Sequence, residues 1–363
     1  MGKKIQIYIA RYSFTGVPLA QIRFAKALSK RGFEVELLIG LVPKGMDVPV
    51  ISEVTVHNLN AARAREMLIP MVRNIKRFDP DVIFTSEDNL NVFVSLSAIL
   101  ARSGAKISAS SRITPSLVYS DRWFSKGWLL GVFQKLMLKR VDVATCVSKD
   151  MANEYNLIFG AARFQCVYNI VFDEDFVRKS NEKVSHPWFD DHSIPIVVAA
   201  GTLSPRKGFS DLISAIKLVR GEKEVRLMIL GDGPLRESLQ EKINREFLND
   251  AVVLLGHHDN PLKFFSNSDV FVLSSYAEGL PNVLVEAMAC GCTPVATDCP
   301  TGPSEVLNNN EYGYLVPMGD PNCMALGIIN ALRNPISKEK LDEAVEPFTE
   351  KVVIGKHRSI LDI

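Results

Sequence analysis

Residues 274–307 read SSYAEGLPNVLVEAMACGCTPVATDCPTGPSEVL. The apolar run that leads into them, DVFVLSS, stops at the turn Glu278-Gly279-Leu280-Pro281, and a helix-like segment follows. A second apolar run, TPVAT, then breaks into a loop carrying Cys299, Pro300, Gly302 and Pro303. Strand, turn, helix and strand in this order are the repeating unit of a parallel sheet wound with helices on both faces. Two carboxylates, Glu278 and Glu286, stand eight residues apart across the turn.

The same rhythm extends outward from this stretch. IPIVVAAG, EVRLMILGDG and AVVLLGH precede it as near-continuous apolar runs, each followed by a loop and a helical pattern. Continuous rather than alternating apolar runs are what strands buried on both faces require. In the first half KIQIYIA, EVELLIG, DVIFTS, KISASSR and VDVATCVS alternate with helix-length segments such as LAQIRFAKALSKRGF. Between the halves, around 170–193, the rhythm gives way to a polar stretch that reads as a linker. The expected architecture is α/β, two doubly wound Rossmann-like domains facing across a deep cleft. Residues 1–175 are expected to form the first domain and 176–344 the second, with a C-terminal helix at about 345–363 packing back on the first. Ligands of such sheets bind outside the carboxyl ends of the strands.

Composition sets bounds on function. The chain of 363 residues is 47% hydrophobic and 23% charged, an ordinary balance for two cores. No run of about 18 apolar residues could span a bilayer, and MGKKIQIYIA passes straight into a strand, with no signal peptide expected. Six cysteines, at 146, 166, 290, 292, 299 and 323, lack zinc or disulfide spacing and fit a reducing cytoplasm. Residues 1–185 carry 26 Lys+Arg against 17 Asp+Glu, while the remainder carries 16 against 24. A basic half joined to an acidic half suggests that one lobe meets an anion.

Three strand-end loops of the second half have phosphate chemistry. AAGTLSPRKGF places Gly201, Thr202, Arg206 and Lys207 just before a helix, and a guanidinium fork beside an ammonium suits a diphosphate. Read alone, the same residues are also a solvated turn. LGDGP offers Gly231 and Gly233 where backbone N–H groups can approach an anion. Pro281 suits a first helical position, leaving the N–H groups of Asn282, Val283 and Leu284 free for a phosphate. A carboxylate beside such a site makes sense if it accepts hydrogen bonds from sugar hydroxyls.

Together the E-x7-E pair Glu278 and Glu286, the Lys-Gly of SPRKGF, the GDGP turn, LGHHDNP and DCPTGPSEVL resemble the retaining GT-B glycosyltransferases of family 4. DCPTGPSEVL is similar to members that build bacterial surface glycans, and the resemblance continues more faintly through the first half. It implies transfer of a hexose from a nucleotide diphosphate sugar, UDP-linked, to a lipid-linked or lipopolysaccharide glycan, with an α linkage. It implies roles too: Glu278 holds donor-sugar hydroxyls, Glu286 the ribose, and Arg206 and Lys207 the diphosphate. The N–H groups of Asn282 to Leu284 complete that cradle, and Gly256–His257 borders the base. Glu278, Lys207 and Arg206 are thus the expected catalytic set. Gly201, Thr202, Gly231, Gly233, Gly279, Leu280 and Pro281 complete the expected donor site. No cofactor, no metal and no nucleic-acid partner is expected.

Three departures from the family pattern stand out. The family's Arg after the strand-end Gly is Thr202 here, with Arg206 as its substitute. Its Gly-Gly pair in the first loop is reduced to Gly16. Where many members carry a His after the fourth strand, SASSRITPS offers Arg112, assigned to the acceptor side. The triplets Asp79-Pro-Asp81 and Asp173-Glu-Asp175 read as caps and solvated turns, and the six histidines (57, 186, 192, 257, 258, 357) show no ligand spacing. A dehydrogenase would need G-x-G-x-x-G after the first strand, where only Gly16 occurs. A nucleotide-sugar 2-epimerase and a non-catalytic nucleotide-sugar sensor stay open as alternatives. Finally, residues 121–140, DRWFSKGWLLGVFQKLMLKR, read equally as an interfacial membrane helix or as a core-packed helix with a basic edge. The first reading places the chain on the inner face of the cell membrane, against anionic lipid.

Overall fold

The computed structural model describes residues 2–13, 16–160, 163–191 and 193–363, so Met1, Phe14, Thr15, Ala161, Ala162 and His192 lie outside the described residues. The chain divides into two compact units, Met1–Val171 with Phe348–Ile363, and Phe172–Pro347.

The first unit is a seven-stranded sheet. Its strands are β1 (Lys4–Arg11), β2 (Glu34–Leu41), β3 (Val54–Asn58), β4 (Val82–Ser86), β5 (Lys106–Ser111), β6 (Val143–Cys146) and β7 (Phe164–Cys166). They lie in the order β3-β2-β1-β4-β5-β6-β7, with every pairing parallel. The second unit holds β8 (Ile196–Ala200), β9 (Arg226–Leu230), β10 (Val252–Gly256), β11 (Val270–Leu273), β12 (Thr293–Thr297) and β13 (Tyr314–Val316). Their order is β10-β9-β8-β11-β12-β13, again parallel throughout. Both are Rossmann-like orders that reverse direction once, between β1 and β4 and between β8 and β11. At such a switch point two adjacent strand-end loops diverge and leave a crevice for a ligand.

Side-chain chemistry explains the layers. Ile5, Ile7 and Ile9 of β1 and Leu37 and Ile39 of β2 are fully buried, as strands covered on both faces must be. In the second unit Val197, Leu227, Ile229, Val270 and Val295 do the same, packed on Ile213, Ile216 and Ile328 from the helices. The C-terminal helix Glu350–Leu361 belongs to the first unit, where Val353, Ile354 and Leu361 join the core around Ile5, Phe24 and Phe84.

His357 of that helix is buried between the rings of Phe24 and Phe84, at centroid distances of 4.8 and 5.4 Å. Burial first, then Arg112 and Lys356, push its pKa down from 6.5 to about 3. The unfolded chain therefore takes up a proton near 6.5 that the folded chain refuses until about 3. Stability from this residue is full above 6.5 and is lost as pH falls through that window, by up to about 1.4 kcal/mol per pH unit. In chemical denaturation from pH 7 to pH 4, wild type should lose stability faster than His357→Phe, and parallel curves would contradict the assignment.

Candidate donor site

The site grows from the two loops that flank the second switch point. After β8 the chain runs through Gly201 and a short 3-10 turn, Pro205–Lys207, to Gly208, which opens the helix Phe209–Arg220. After β11 it runs through Ser274–Pro281 into the helix Asn282–Ala289. The two loops are joined directly. Tyr276 donates its N–H to the Arg206 carbonyl at 2.8 Å, and Ser274 Oγ donates to the Lys207 carbonyl at 2.7 Å. Gly208 makes this approach possible: its φ is +64°, and a Cβ there would lie 2.0 Å from the Ser274 carbonyl oxygen.

Across this seam Lys207 Nζ meets Glu278 Oε1 at 2.6 Å, with side-chain exposures of 12% and 8%. Ser275 Oγ donates to the same oxygen at 2.6 Å. Arg206 is half exposed; its Nη1 donates to the Ala277 carbonyl at 3.1 Å and stands 4.0 Å from Glu278 Oε2. Gly201 packs its α-carbon face on the Lys207 stem, where a Cβ would sit 3.2 Å from Cε. The ammonium keeps donors beyond the one that Glu278 uses, since Lys has three. Removing one partner of so buried a pair would cost about 3–5 kcal/mol, because the other charge would be stranded.

The loop after β12 supports the turn from behind. Thr301 Oγ1 donates to the Glu278 carbonyl. Gly302, at φ +100°, lies so close that a Cβ would come within 2.7 Å of both the Gly279 carbonyl and the Pro281 ring. This is the role of the Gly/Pro loop in the sequence. Cys299 beside it is buried, its thiol pushed up to about 12 by burial and then by Glu278.

Several expectations change in detail. Pro281 is the N-cap of its helix, not the first helical residue. Of the three N–H groups expected to be free, Asn282 already donates to the Leu280 carbonyl and Leu284 to that of Pro281, both at 2.9 Å. The tight γ-like turn at Pro281 absorbs them, and only the Val283 N–H finds no backbone acceptor among the described residues. Gly231 gives its N–H to the Gly256 carbonyl at 2.7 Å, and Gly233 gives its own to Asp232 Oδ1. Both glycines are needed for close backbone approach: a Cβ on Gly231 would meet the Gly201 carbonyl at 2.0 Å, and one on Gly233 the Leu203 carbonyl at 2.6 Å. Glu286 lies half-buried in the second turn of the Asn282 helix, and Thr202 and His257 are exposed, His257 3.3 Å from Asp259. Leu280 is half-buried in the turn.

Gly16 and Arg112 belong to the first unit. Gly16 opens the helix Gly16–Ser29. Arg112, just past β5, donates from Nη1 to Asn169 Oδ1, and its pKa is brought down to about 10 by burial, with Glu87 pulling the other way. It lines a polar cavity of about 20 Å³ with Thr85, Ser110 and His357, room for a single water. Asp79 is a left-handed helix C-cap, Asp81 accepts the Lys4 N–H at 2.7 Å, and Asp175 pairs with Arg178. Among the described residues no cluster of three His, Cys, Asp or Glu could hold a metal. Sequence reasoning missed Ser275 and Thr301, which carry no spacing signal; Gly208 was read as part of the Lys-Gly motif, without its role in closing the seam.

Comparison with known proteins places the chain in a family. The profile described as "Glycosyl transferases group 1" matches residues 181–347, and that of "Glycosyltransferase Family 4" matches residues 16–174. An uncharacterized glycosyltransferase of Methanocaldococcus jannaschii is 32% identical over 305 residues, 81% of this chain and 72% of the relative. The chain belongs to this glycosyltransferase family and has its GT-B fold. It is also 26% identical, over 94% of its length and 92% of the relative's, to the Campylobacter jejuni N-acetylgalactosamine-N,N'-diacetylbacillosaminyl-diphospho-undecaprenol 4-alpha-N-acetylgalactosaminyltransferase. Among solved structures, Anabaena HepE in complex with UDP-glucose superposes with a TM-score of 0.78 at 18% identity, covering 99% of each chain.

Gly208→Ala should strain both the backbone and the seam, costing on the order of 2–4 kcal/mol in the melting of this unit. Gly291→Ala is the control: its φ of +96° is equally left-handed, but no atom lies within 4 Å of the added carbon. It should lose only about 1–2 kcal/mol. Equal losses would mean that the Ser274 contact is unimportant.

Proposed function

We propose that the chain transfers a hexose from a nucleotide diphosphate sugar, UDP-linked, to a lipid-linked or lipopolysaccharide glycan, with retention and an α linkage. The observation that supports this best is the Lys207–Glu278 pair, with Arg206 beside it, at the strand ends of the second switch point. In this reading the diphosphate takes the free donors of Lys207 and the half-exposed Arg206 guanidinium. Glu278 accepts hydrogen bonds from hydroxyls of the donor sugar, and Glu286 from those of the ribose. Arg112 and Gly16 serve the acceptor side.

The chemistry needs no protein nucleophile. The bond from the anomeric carbon to the phosphate oxygen breaks, and the acceptor oxygen bonds to the same face. The acceptor's proton passes to the leaving phosphate. Catalysis is then positioning together with stabilisation of charge on the departing diphosphate by Lys207 and Arg206. The diphospho-undecaprenol named in the Campylobacter relative is a lipid-linked acceptor of the kind proposed here. On this reading the chain works as a peripheral protein on the inner face of the membrane, where such acceptors are held.

Glu278→Gln should lower kcat about a hundredfold or more while keeping the Kd for UDP within about a factor of three, since its partner is the sugar. NMR of the product formed from an α-linked donor should show the α anomer. Normal turnover by the variant, or a β product, would overturn the assignment. Transfer should also proceed unchanged in EDTA; a requirement restored by manganese would return the Asp-x-Asp triplets to consideration.

A further inference from the structure

The helix Lys126–Met137 presents an apolar stripe to the outside. Only Gln134 is buried along its length, at 2% exposure, and its Oε1 has no hydrogen-bond partner. Leu129, Val132, Phe133 and Leu136, at the i, i+3, i+4, i+7 spacing of one helical face, are 40%, 40%, 52% and 48% exposed. Leu130 and Met137 are half-buried and Leu138 is buried, so the helix packs through that side and leaves the stripe outward. Just before the helix Trp123 and Phe124 are each 75% exposed and close on Trp128, Trp123 stacking on it at 5.9 Å. Large apolar faces of this size are uncommon on proteins that meet only water.

Charge on the segment is one-sided. Arg122, Lys126, Lys135 and Lys139 are exposed, and among the described residues none has an ion pair or a side-chain hydrogen bond. Asp121 is the one acid between 121 and 140. Arg140 is different: it donates to the carbonyls of Ser103 and Ala105 and pairs with Asp142, so it anchors the segment. At 3.6 residues per turn, Lys126 falls on one flank of the exposed stripe and Lys135 and Lys139 on the other. Long cationic side chains flanking an apolar stripe can keep their charge at headgroup level while the stripe enters the acyl boundary. The segment is tied to the unit just upstream, where Tyr119 donates to the buried Asp88 carboxyl at 2.8 Å.

We infer that the face formed by Trp123, Phe124 and the Leu129–Leu136 stripe is a docking surface for an anionic phospholipid bilayer. This rests on the reading above in which the acceptor is lipid-linked, and gives that reading its membrane contact. A second copy of the chain is the poorer occupant, since a self-complementary interface would set these unpaired cations against one another.

Vesicle flotation of the full chain tests it without donor or acceptor. The wild type should bind phosphatidylglycerol vesicles at low salt, bind phosphatidylcholine weakly, and be released as salt rises. Lys126→Gln, Lys135→Gln and Lys139→Gln together should weaken binding roughly a hundredfold, at about fivefold per cation. Trp123→Ala with Phe124→Ala should lose binding while melting at the wild-type temperature, because both side chains are exposed. Transfer to a short water-soluble acceptor should be unchanged in every variant. Wild type that ignores phosphatidylglycerol, variants that bind as it does, or a dimer that the aromatic variant splits would each overturn the inference. A chain that binds vesicles but transfers no sugar would instead overturn the functional reading and leave the surface standing.

Discussion

The contact between Lys207 and Glu278 is the constraint around which the second unit is arranged. Neither residue could be buried alone, since an unpaired charge in a protein interior is costly. They can be buried together only if the loops after β8 and β11 touch. That contact requires Gly208, with its left-handed backbone pressed on the Ser274 carbonyl, and it requires Gly201 to make room for the lysine stem. The turn that carries Glu278 must in turn be held from behind, which Thr301 and Gly302 do. Next to them Gly231 and Gly233 let the loop after β9 lie against the loop after β8. Close packing of these loops thus accounts for a set of glycines, of which the sequence alone assigns Gly201, Gly231 and Gly233 to the donor site.

Much of the architecture was legible before the structure was known. The central strands announced themselves because burial on both faces leaves a continuous apolar run, as in IVVAA and VFVL. The strands that were not foreseen, β3, β7 and β13, are all at sheet edges and only five, three and three residues long. An edge strand with one neighbour need not be a long apolar run: VTVHN turns polar at its end, and FQC and YLV are too short to stand out. The site residues Arg206, Lys207 and Glu278 were legible by type and by their positions at strand ends. Their mutual contact was not, because it spans 71 positions of sequence and depends on which strands are neighbours. The Pro281 turn shows a second limit. Helix-start chemistry identified the helix, but the shift of one residue at its cap redirected two of the three N–H groups.

The first unit carries its own division of labour. Its C-terminal helix arrives after the whole second unit has been threaded, yet it supplies Val353, Ile354 and Leu361 to the core beneath β1. His357 on that helix, Arg112 and Thr85 surround the small polar cavity, and each presents to the interior a polar atom without a protein partner. A bridging water satisfies such a set. The excess of basic residues in the first half finds a partial explanation in the unpaired cations of 122–139. The acidic excess of the second half has no comparable structural explanation.

The central proposal is that Lys207 faces a diphosphate. Calorimetric titration of UDP and of uridine into wild type and Lys207→Ala tests it most directly, with melting curves to establish that the variant is folded. Wild type should bind UDP far more tightly than uridine, and the variant should lose most of that preference while its weak affinity for uridine is kept. A variant that loses affinity for both ligands equally, or retains the full preference for UDP, would contradict the account.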